Sequence, residues 1–165
     1  MNVTIIIIEI LLMFLIFGFF VFGLLYISPL TFISDYPPEI QEVYYRTQNK
    51  EATRKKMTAI MKVKKIAALI AFMFIFAWML HIAGAETFVQ GLLLAYAYIL
   101  CLFAWDTFFL DWVLFANIKR IRLPGTEHMD KEYHQKWFHV KVCLPMFPVF
   151  AVMGALSAFI MTWIW

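Results

Sequence analysis

The chain has 165 residues, of which 64% are hydrophobic and 15% charged, and its formal net charge is +3. Soluble domains carry about a quarter charged residues, so this composition excludes a secreted disulfide scaffold, a nucleic-acid-binding domain and a separate soluble catalytic domain. The apolar residues form runs of about twenty or more, the length that crosses a bilayer as a helix. We predict an all-α, polytopic membrane protein with four transmembrane helices in a single transmembrane domain, residues 1–165.

The first predicted span covers residues 3–27, which are apolar except for Thr4 and Glu9. At about 1.5 Å per residue, this run is long enough to cross the hydrocarbon core with some tilt. The polar connection that follows, residues 28–65, opens with a turn at 35–38, where Pro37 and Pro38 favour a helix start.

The end of this connection is strongly basic. Met57, Ile60 and Met61 recur there at helical spacing, which is typical of a surface helix lying against anionic headgroups. The basic residues are Lys50, Arg54, Lys55, Lys56, Lys62, Lys64 and Lys65. This is the first of two interfacial amphipathic helical segments that we expect.

The next two spans follow each other closely, joined by a tight link at Gly84. The second covers residues 66–83, and the third apolar run covers 87–118. A continuous helix over 87–118 measures about 48 Å, well beyond the hydrocarbon thickness of about 30 Å. We therefore place the crossing at 87–105 and expect 106–118, which contains Asp106 and Asp111, to emerge at the interface or to pack on other helices.

The second polar connection covers residues 119–139. We expect a turn at 123–125, then a short helix with Thr126 as its N-cap, since acids in the first turn favour a helix start. Met129, Tyr133 and Trp137 recur every four residues and predict an apolar stripe at the membrane interface. The last span, 140–165, carries Pro145 and Pro148, which predict a kink.

The distribution of charge predicts the orientation in the membrane. All fourteen Lys and Arg residues lie between Arg46 and Lys141, and none lies near either end of the sequence or in the Gly84 link. Cytoplasmic connections carry an excess of Lys and Arg. We therefore expect a bacterial cytoplasmic membrane protein with both connections inside and both termini outside.

Two sets of ionisable residues are candidate sites, because such groups are expensive at membrane depth. Glu9 and His81 are predicted to lie in the outer leaflet on neighbouring helices and to form an intramembrane polar pair, close to Gln90. The sequence leaves open whether such a pair joins helices or handles a proton or ligand.

The larger set lies at the cytoplasmic side. Glu127, Asp130 and His134 stand at i, i+3 and i+7, which on one helix face is compatible with binding a divalent metal. The alternative is a solvated, charge-paired surface. In the functional reading, Asp111, Glu127, His128 and His134 are catalytic, and Arg120 and Arg122 bind a substrate phosphate.

One resemblance arises from this region. Asp111-Trp112, Pro124-Gly125-Thr126-Glu127 and Phe138-His139 form a pattern that resembles a family of small, uncharacterised bacterial four-helix integral membrane proteins. The resemblance covers about 30 residues and brings no activity with it. It implies that the segment 111–139 is where a site should be sought.

Two functions remain open at this point. The first is a small membrane protein whose metal-binding or phosphate-binding cluster acts on lipid or isoprenoid headgroups at the cytoplasmic interface, with a divalent metal as the candidate cofactor. The second is a non-enzymatic subunit of a transporter or channel, or a membrane assembly partner. The expected partners are membrane lipids with anionic headgroups and either a second copy or another protein, and no nucleic acid.

Overall fold

The structure is a computed structural model that describes residues 1–48 and 59–165, and the described residues are helical, with no strand among them. A basic surface helix was predicted within 50–65. Most of the side chains on which that prediction depends lie outside the described residues. The long helices are α1 (Val3–Ile27), α3 (Ala59–Ile82), α4 (Phe88–Trp105) and α7 (Phe147–Ile164). The shorter ones are α2 (Pro38–Thr47), α5 (Asp130–Tyr133), α6 (Lys136–Cys143) and a π-helix (Asp106–Phe115).

Within the described residues, three helical stretches are long and apolar enough to cross a membrane. They are Val3–Ile27, Phe88–Phe115 and Lys136–Ile164. Helix α4 ends at Trp105, but the helical path continues without a break as the π-helix, so the crossing at 87–105 stays a prediction. The proline-rich part of the last stretch is a 3-10 turn at Leu144–Met146, where the kink was predicted.

The chain forms two compact units, and the single domain over residues 1–165 stays a prediction. The first unit contains Met1–Met13, Lys55–Leu102 and Met146–Trp165. Its core lies between α3, α4 and α7, and small residues let α4 and α7 approach closely. A Cβ atom on Gly91 would lie 3.0 Å from the Met161 methyl carbon, and one on Gly154 would lie 3.1 Å from the Tyr96 ring.

One end of the first unit joins three parts of the chain. The backbone N–H of Asn2 donates a 2.7 Å hydrogen bond to the carbonyl of Ala83, just after α3. Gly84 has a φ of +80°, a left-handed conformation that ends α3. The His81 ring stacks on Trp165 with its centroid 4.9 Å away. The start of α1, the end of α3 and the end of α7 therefore meet.

Glu9 is buried in the first unit and accepts a hydrogen bond from the hydroxyl of Tyr98, which is fully buried in α4. The predicted Glu9–His81 pair is thus not formed. Glu9 lies two helical turns into α1, about 10 Å beyond Asn2, whereas His81 lies level with Asn2 at the end of α3.

The second unit contains Phe14–Arg54 and Phe103–Pro145. Its core packs α2 and the 119–135 loop against the end of α1 and the π-helix. The buried hydrophobic side chains are Leu25, Tyr36, Ile40, Tyr44, Phe115, Ile121, Leu123, Met129 and Tyr133. Gly125 has a φ of +86°, and a Cβ there would lie 2.7 Å from the Thr47 methyl carbon. Only glycine fits this turn.

The predicted apolar stripe of the second connection is wrong. Helix α5 covers only Asp130–Tyr133, and the chain breaks before α6 begins at Lys136. Met129 and Tyr133 are buried, but Trp137 is 65% exposed. The four-residue spacing does not form one face because Met129 precedes α5, Tyr133 ends it and Trp137 lies in α6.

We predict that Glu9 and Tyr98 are energetically coupled. In a double-mutant cycle with Glu9→Gln and Tyr98→Phe, the coupling should be about 0.6 kcal/mol and at most about 1.7 kcal/mol, the range for hydrogen bonds between membrane helices. The measurement is unfolding in detergent micelles. Tyr96→Phe is the matched control, since its hydroxyl donates to the Ala151 carbonyl on an exposed surface. Strict additivity of Glu9→Gln and Tyr98→Phe would contradict the pairing.

Candidate functional site

The π-helix determines where its two carboxyl groups lie. In an α-helix, residues five apart point about 140° away from each other. A π-helix closes its hydrogen bonds between residues five apart, as the N–H of Ala116 does with the carbonyl of Asp111. Asp106 and Asp111 are therefore brought nearer to one face, and they are close enough to interact electrostatically.

Helix α6 packs against the π-helix and brings an imidazole to Asp111. His139 Nδ1 lies 3.6 Å from Asp111 Oδ2, and both side chains are mostly buried, with 14% and 16% exposed. The His139 ring also makes an edge contact with Phe115 at 5.1 Å. The carboxyl and imidazole thus face each other in largely apolar surroundings, at a distance that a small shift would turn into a hydrogen bond.

One further contact holds this part of the fold together. The Trp112 indole N–H donates a 2.7 Å hydrogen bond to the carbonyl of Lys136, which holds α6 on the π-helix. The hydroxyl of Thr107 is buried and has no hydrogen-bond partner among the described residues. We call Asp106, Asp111 and His139 the Asp111 site.

Arg122, predicted to bind a substrate phosphate, is instead an internal support. Its side chain is 2% exposed and forms an ion pair with Asp130 at 2.5 Å. Its guanidinium also donates a 2.7 Å hydrogen bond to the carbonyl of Glu127 and lies 4.7 Å from the centre of the Tyr133 ring. A guanidinium that is occupied in this way is not free for a ligand. Arg120, by contrast, is exposed.

The same loop is held by a buried network of hydroxyl groups. The Tyr133 hydroxyl accepts from the backbone N–H of Leu123 at 2.9 Å and lies 2.7 Å from the hydroxyl of Thr126. Thr126 donates to the carbonyl of Leu123, so it is not the predicted helix N-cap. The Tyr36 hydroxyl donates to the carbonyl of Ile121 at 2.7 Å. Burial raises the pKa of both phenols, so they stay protonated.

The predicted metal ligands Glu127, Asp130 and His134 do not converge. Glu127 lies before α5 and accepts a hydrogen bond from the N–H of Gly125. His134 lies just beyond α5, with its Nδ1 2.6 Å from the carbonyl of Asp130. The helix face assumed for these three residues does not exist, because α5 has only four residues. In the part of the chain that the structure describes, no group of three acidic, histidine or cysteine side chains could hold a metal ion.

The electrostatics of this loop agree with a structural role. The Arg122 guanidinium holds the pKa of the Asp130 carboxyl below its usual range. Backbone N–H groups of the turn, its own and that of Gly125, lower the pKa of Glu127. His128 and Glu127 are exposed to solvent. Of the predicted catalytic residues, therefore, only Asp111 lies in a partly enclosed polar site.

Sequence reasoning did not identify every residue that matters. It noted Asp106 only as a polar residue within 106–118 and His139 only as part of the family resemblance, and their spacing from Asp111 carried no signal for the π-helix that brings the two aspartates toward one face. It also missed Tyr98 as the partner of Glu9. A tyrosine within an apolar helix is a weak signal, since aromatic residues are common in such helices.

No protein-family model, curated protein or solved structure matches this chain.

We predict that the Arg122–Asp130 ion pair makes stability depend on acid. The folded-state pKa of Asp130 lies below its ordinary value, so its contribution is complete above about pH 4 and is lost as the pH falls through the folded-state pKa. Asp130→Asn should lower the unfolding temperature at pH 7, and the difference from the unmodified protein should shrink in acid.

The matched control is Glu132→Gln, which removes one acidic charge from the same short helix. The unmodified protein and the two variants are compared by thermal unfolding in micelles between pH 3 and pH 7. A deficit of Asp130→Asn that stays constant with pH, or that Glu132→Gln reproduces, would show that the ion pair is not its cause.

Proposed function

We propose that the chain is a four-span protein of the bacterial cytoplasmic membrane whose Asp111 site acts as a general acid and base in the conversion of lipid or isoprenoid headgroups at the cytoplasmic interface. The observation that carries the chemical part is the partly buried Asp111 carboxyl facing the His139 imidazole at 3.6 Å. Carboxyl and imidazole groups are the commonest general acids and bases, and enclosure tunes them for that role.

The fourth span in this proposal is α3. Its apolar part, Ile66–Ile82, has 17 residues, the lower limit for a transmembrane helix. The contacts that the end of α3 makes with Asn2 and Trp165 support its role as a span beside α1 and α7. If the start of α1, the end of α3 and the end of α7 lie on one side of the membrane, the connections between them lie on the other.

The placement of the site at the cytoplasmic side rests on charge. All fourteen Lys and Arg residues fall within or beside the two polar connections, which favours a cytoplasmic location for both. The resemblance of the 111–139 segment to small bacterial integral membrane proteins supports a bacterial cytoplasmic membrane. The headgroup class follows from this location, since the Asp111 site then lies where lipid headgroups meet water.

The structure bears differently on the predicted metal binding and on the predicted phosphate binding. Glu127, Asp130 and His134 lack the geometry of a ligand set, and Arg122 is occupied by protein groups. The site as proposed therefore works through the carboxyl and imidazole groups of this chain. Of the two predicted phosphate ligands, Arg120 is the one that a phosphate could reach.

A second candidate function is that of an assembly partner, or of a subunit in a transporter or channel. The observation that favours it is the 119–135 loop, which Arg122 and Tyr133 fix in shape while Glu127, His128 and His134 stay exposed. A fixed loop with an exposed polar surface suits the docking of another protein.

We predict that headgroup conversion depends on Asp111 and His139. Purified protein in vesicles of total polar lipid from the expression host should change the amount of at least one headgroup species with time, as measured by mass spectrometry. Asp111→Asn and His139→Gln should each slow this by about a hundredfold or more, because each removes one member of the acid–base pair.

Glu132→Gln serves as the matched control and should convert lipid at the normal rate. Lipid profiles that stay constant with the unmodified protein would count against the enzymatic proposal and favour the docking function. Equal rates for the unmodified protein and Asp111→Asn would place the chemistry elsewhere.

We also predict that the two ends of α3 face opposite sides of the membrane. A matched pair of cysteine substitutions, one on either side of α3, tests this. In a chain with Cys101→Ala and Cys143→Ala, an impermeant maleimide should label Glu86→Cys in intact cells. Glu42→Cys should react only after the membrane is opened. Reaction of both from outside would show that α3 does not cross, and reaction of Glu42→Cys alone would reverse the orientation.

A further inference from the structure

An apolar groove of about 810 Å³ lies between the second half of α1 and the π-helix, within the second unit. Every residue that lines it is hydrophobic or glycine. Two glycines of α1 keep it open, since nothing lies within 4 Å of a Cβ built on Gly23, and one built on Gly18 would still be 3.6 Å from Leu110. From Phe14 to Ile27 the groove follows α1 for about 20 Å.

A cation lies at one end of the groove. Tyr26 follows Phe22 and Gly23, two lining residues, by four and three positions, and therefore lies on the same face of α1 one turn further on. The guanidinium of Arg120 lies over the Tyr26 ring, 4.2 Å from its centre. No carboxylate among the described residues forms an ion pair with Arg120, and Lys119 beside it is also exposed.

The groove and the cation together match a molecule that has an apolar chain and an anionic headgroup. The groove is somewhat longer than one leaflet of a hydrocarbon core that measures about 30 Å in all, so it can hold an acyl chain along its length. The cation at its end can bind a phosphate, which a guanidinium recognises through charge-assisted hydrogen bonds. The two features are joined by Tyr26, whose ring fixes the position of the guanidinium.

We propose that this groove binds one acyl chain of an anionic phospholipid, and that Arg120 binds the phosphate of its headgroup. The proposal rests on the membrane insertion proposed above and is independent of the chemistry of the Asp111 site. A helix of a second copy fits the groove less well. Close pairs of membrane helices use small residues four apart, whereas Gly18 and Gly23 are five apart.

The test is native mass spectrometry of the full chain after incubation with equal amounts of phosphatidylglycerol and phosphatidylcholine that carry the same acyl chains. The protein should retain one phosphatidylglycerol, with a preference of about fivefold, the size expected for one basic residue near the membrane surface. Arg120→Gln should abolish the preference while leaving lipid binding. Lys131→Gln, which removes a positive charge from the same connection, should leave the preference unchanged.

Gly23→Leu tests the chain-binding part separately. The added side chain enters open space, so the helix content should be unchanged by circular dichroism, while retention of both lipids should fall. Equal retention of the two lipids by the unmodified protein would overturn the proposal, as would a preference that survives Arg120→Gln. A dimer that disappears in Gly23→Leu would assign the groove to a second copy instead.

The result is separable from that of the lipid-conversion experiment. Asp111→Asn should retain phosphatidylglycerol as the unmodified protein does, even if it converts no lipid. Loss of conversion with intact retention would therefore concern the Asp111 site alone, and loss of retention with intact conversion would concern the groove alone.

Discussion

A polar group that is enclosed by apolar side chains costs free energy unless it finds a partner, and the cost is greatest where no water can take the partner's place. In the first unit, this constraint gives Glu9 the hydroxyl of Tyr98. In the second unit, it brings Asp130, a backbone carbonyl and an aromatic ring around the buried guanidinium of Arg122. The same demand makes the hydroxyls of Tyr133 and Tyr36 bind backbone groups of the 119–135 loop.

The constraint is only partly met at the Asp111 site and at Thr107 on the same π-helix, and among the described residues the Trp105 indole nitrogen and Nε of Arg122 also lack partners. Asp111 and His139 face each other at 3.6 Å, longer than a hydrogen bond, and the hydroxyl of Thr107 has no partner among the described residues. Buried polar groups that lack partners are rare in folded proteins and call for a reason. They occur here on a π-helix, an irregularity that is found frequently at functional sites. The incomplete pairing and the irregular backbone together make this the best candidate for chemistry.

Two neighbouring arginines show how much the surroundings of a residue determine its role. Arg122 is enclosed, and its charge is used to hold the loop. Arg120 is two positions earlier, is exposed, and stacks on Tyr26 at the end of the apolar groove. The first stabilises the protein and the second is available to an external anion. Both have the same chemistry, and only their burial separates the structural role of Arg122 from the ligand-binding role that we propose for Arg120.

The sequence by itself determined the features that depend on local composition. The apolar runs predicted where helices form, Gly84 marked the end of α3, and Pro145 marked the break before α7. These predictions succeeded because hydropathy and backbone freedom are properties of a residue and its near neighbours.

Tertiary structure alone decided which side chains meet. The sequence paired Glu9 with His81, grouped Glu127, Asp130 and His134 on one helix face, and assigned phosphate binding to Arg122. The fold instead paired Glu9 with Tyr98, limited α5 to four residues and buried Arg122. Partners of this kind depend on which helices pack together and on how far each one extends. Those distances arise from contacts between residues far apart in the chain, which local patterns do not encode.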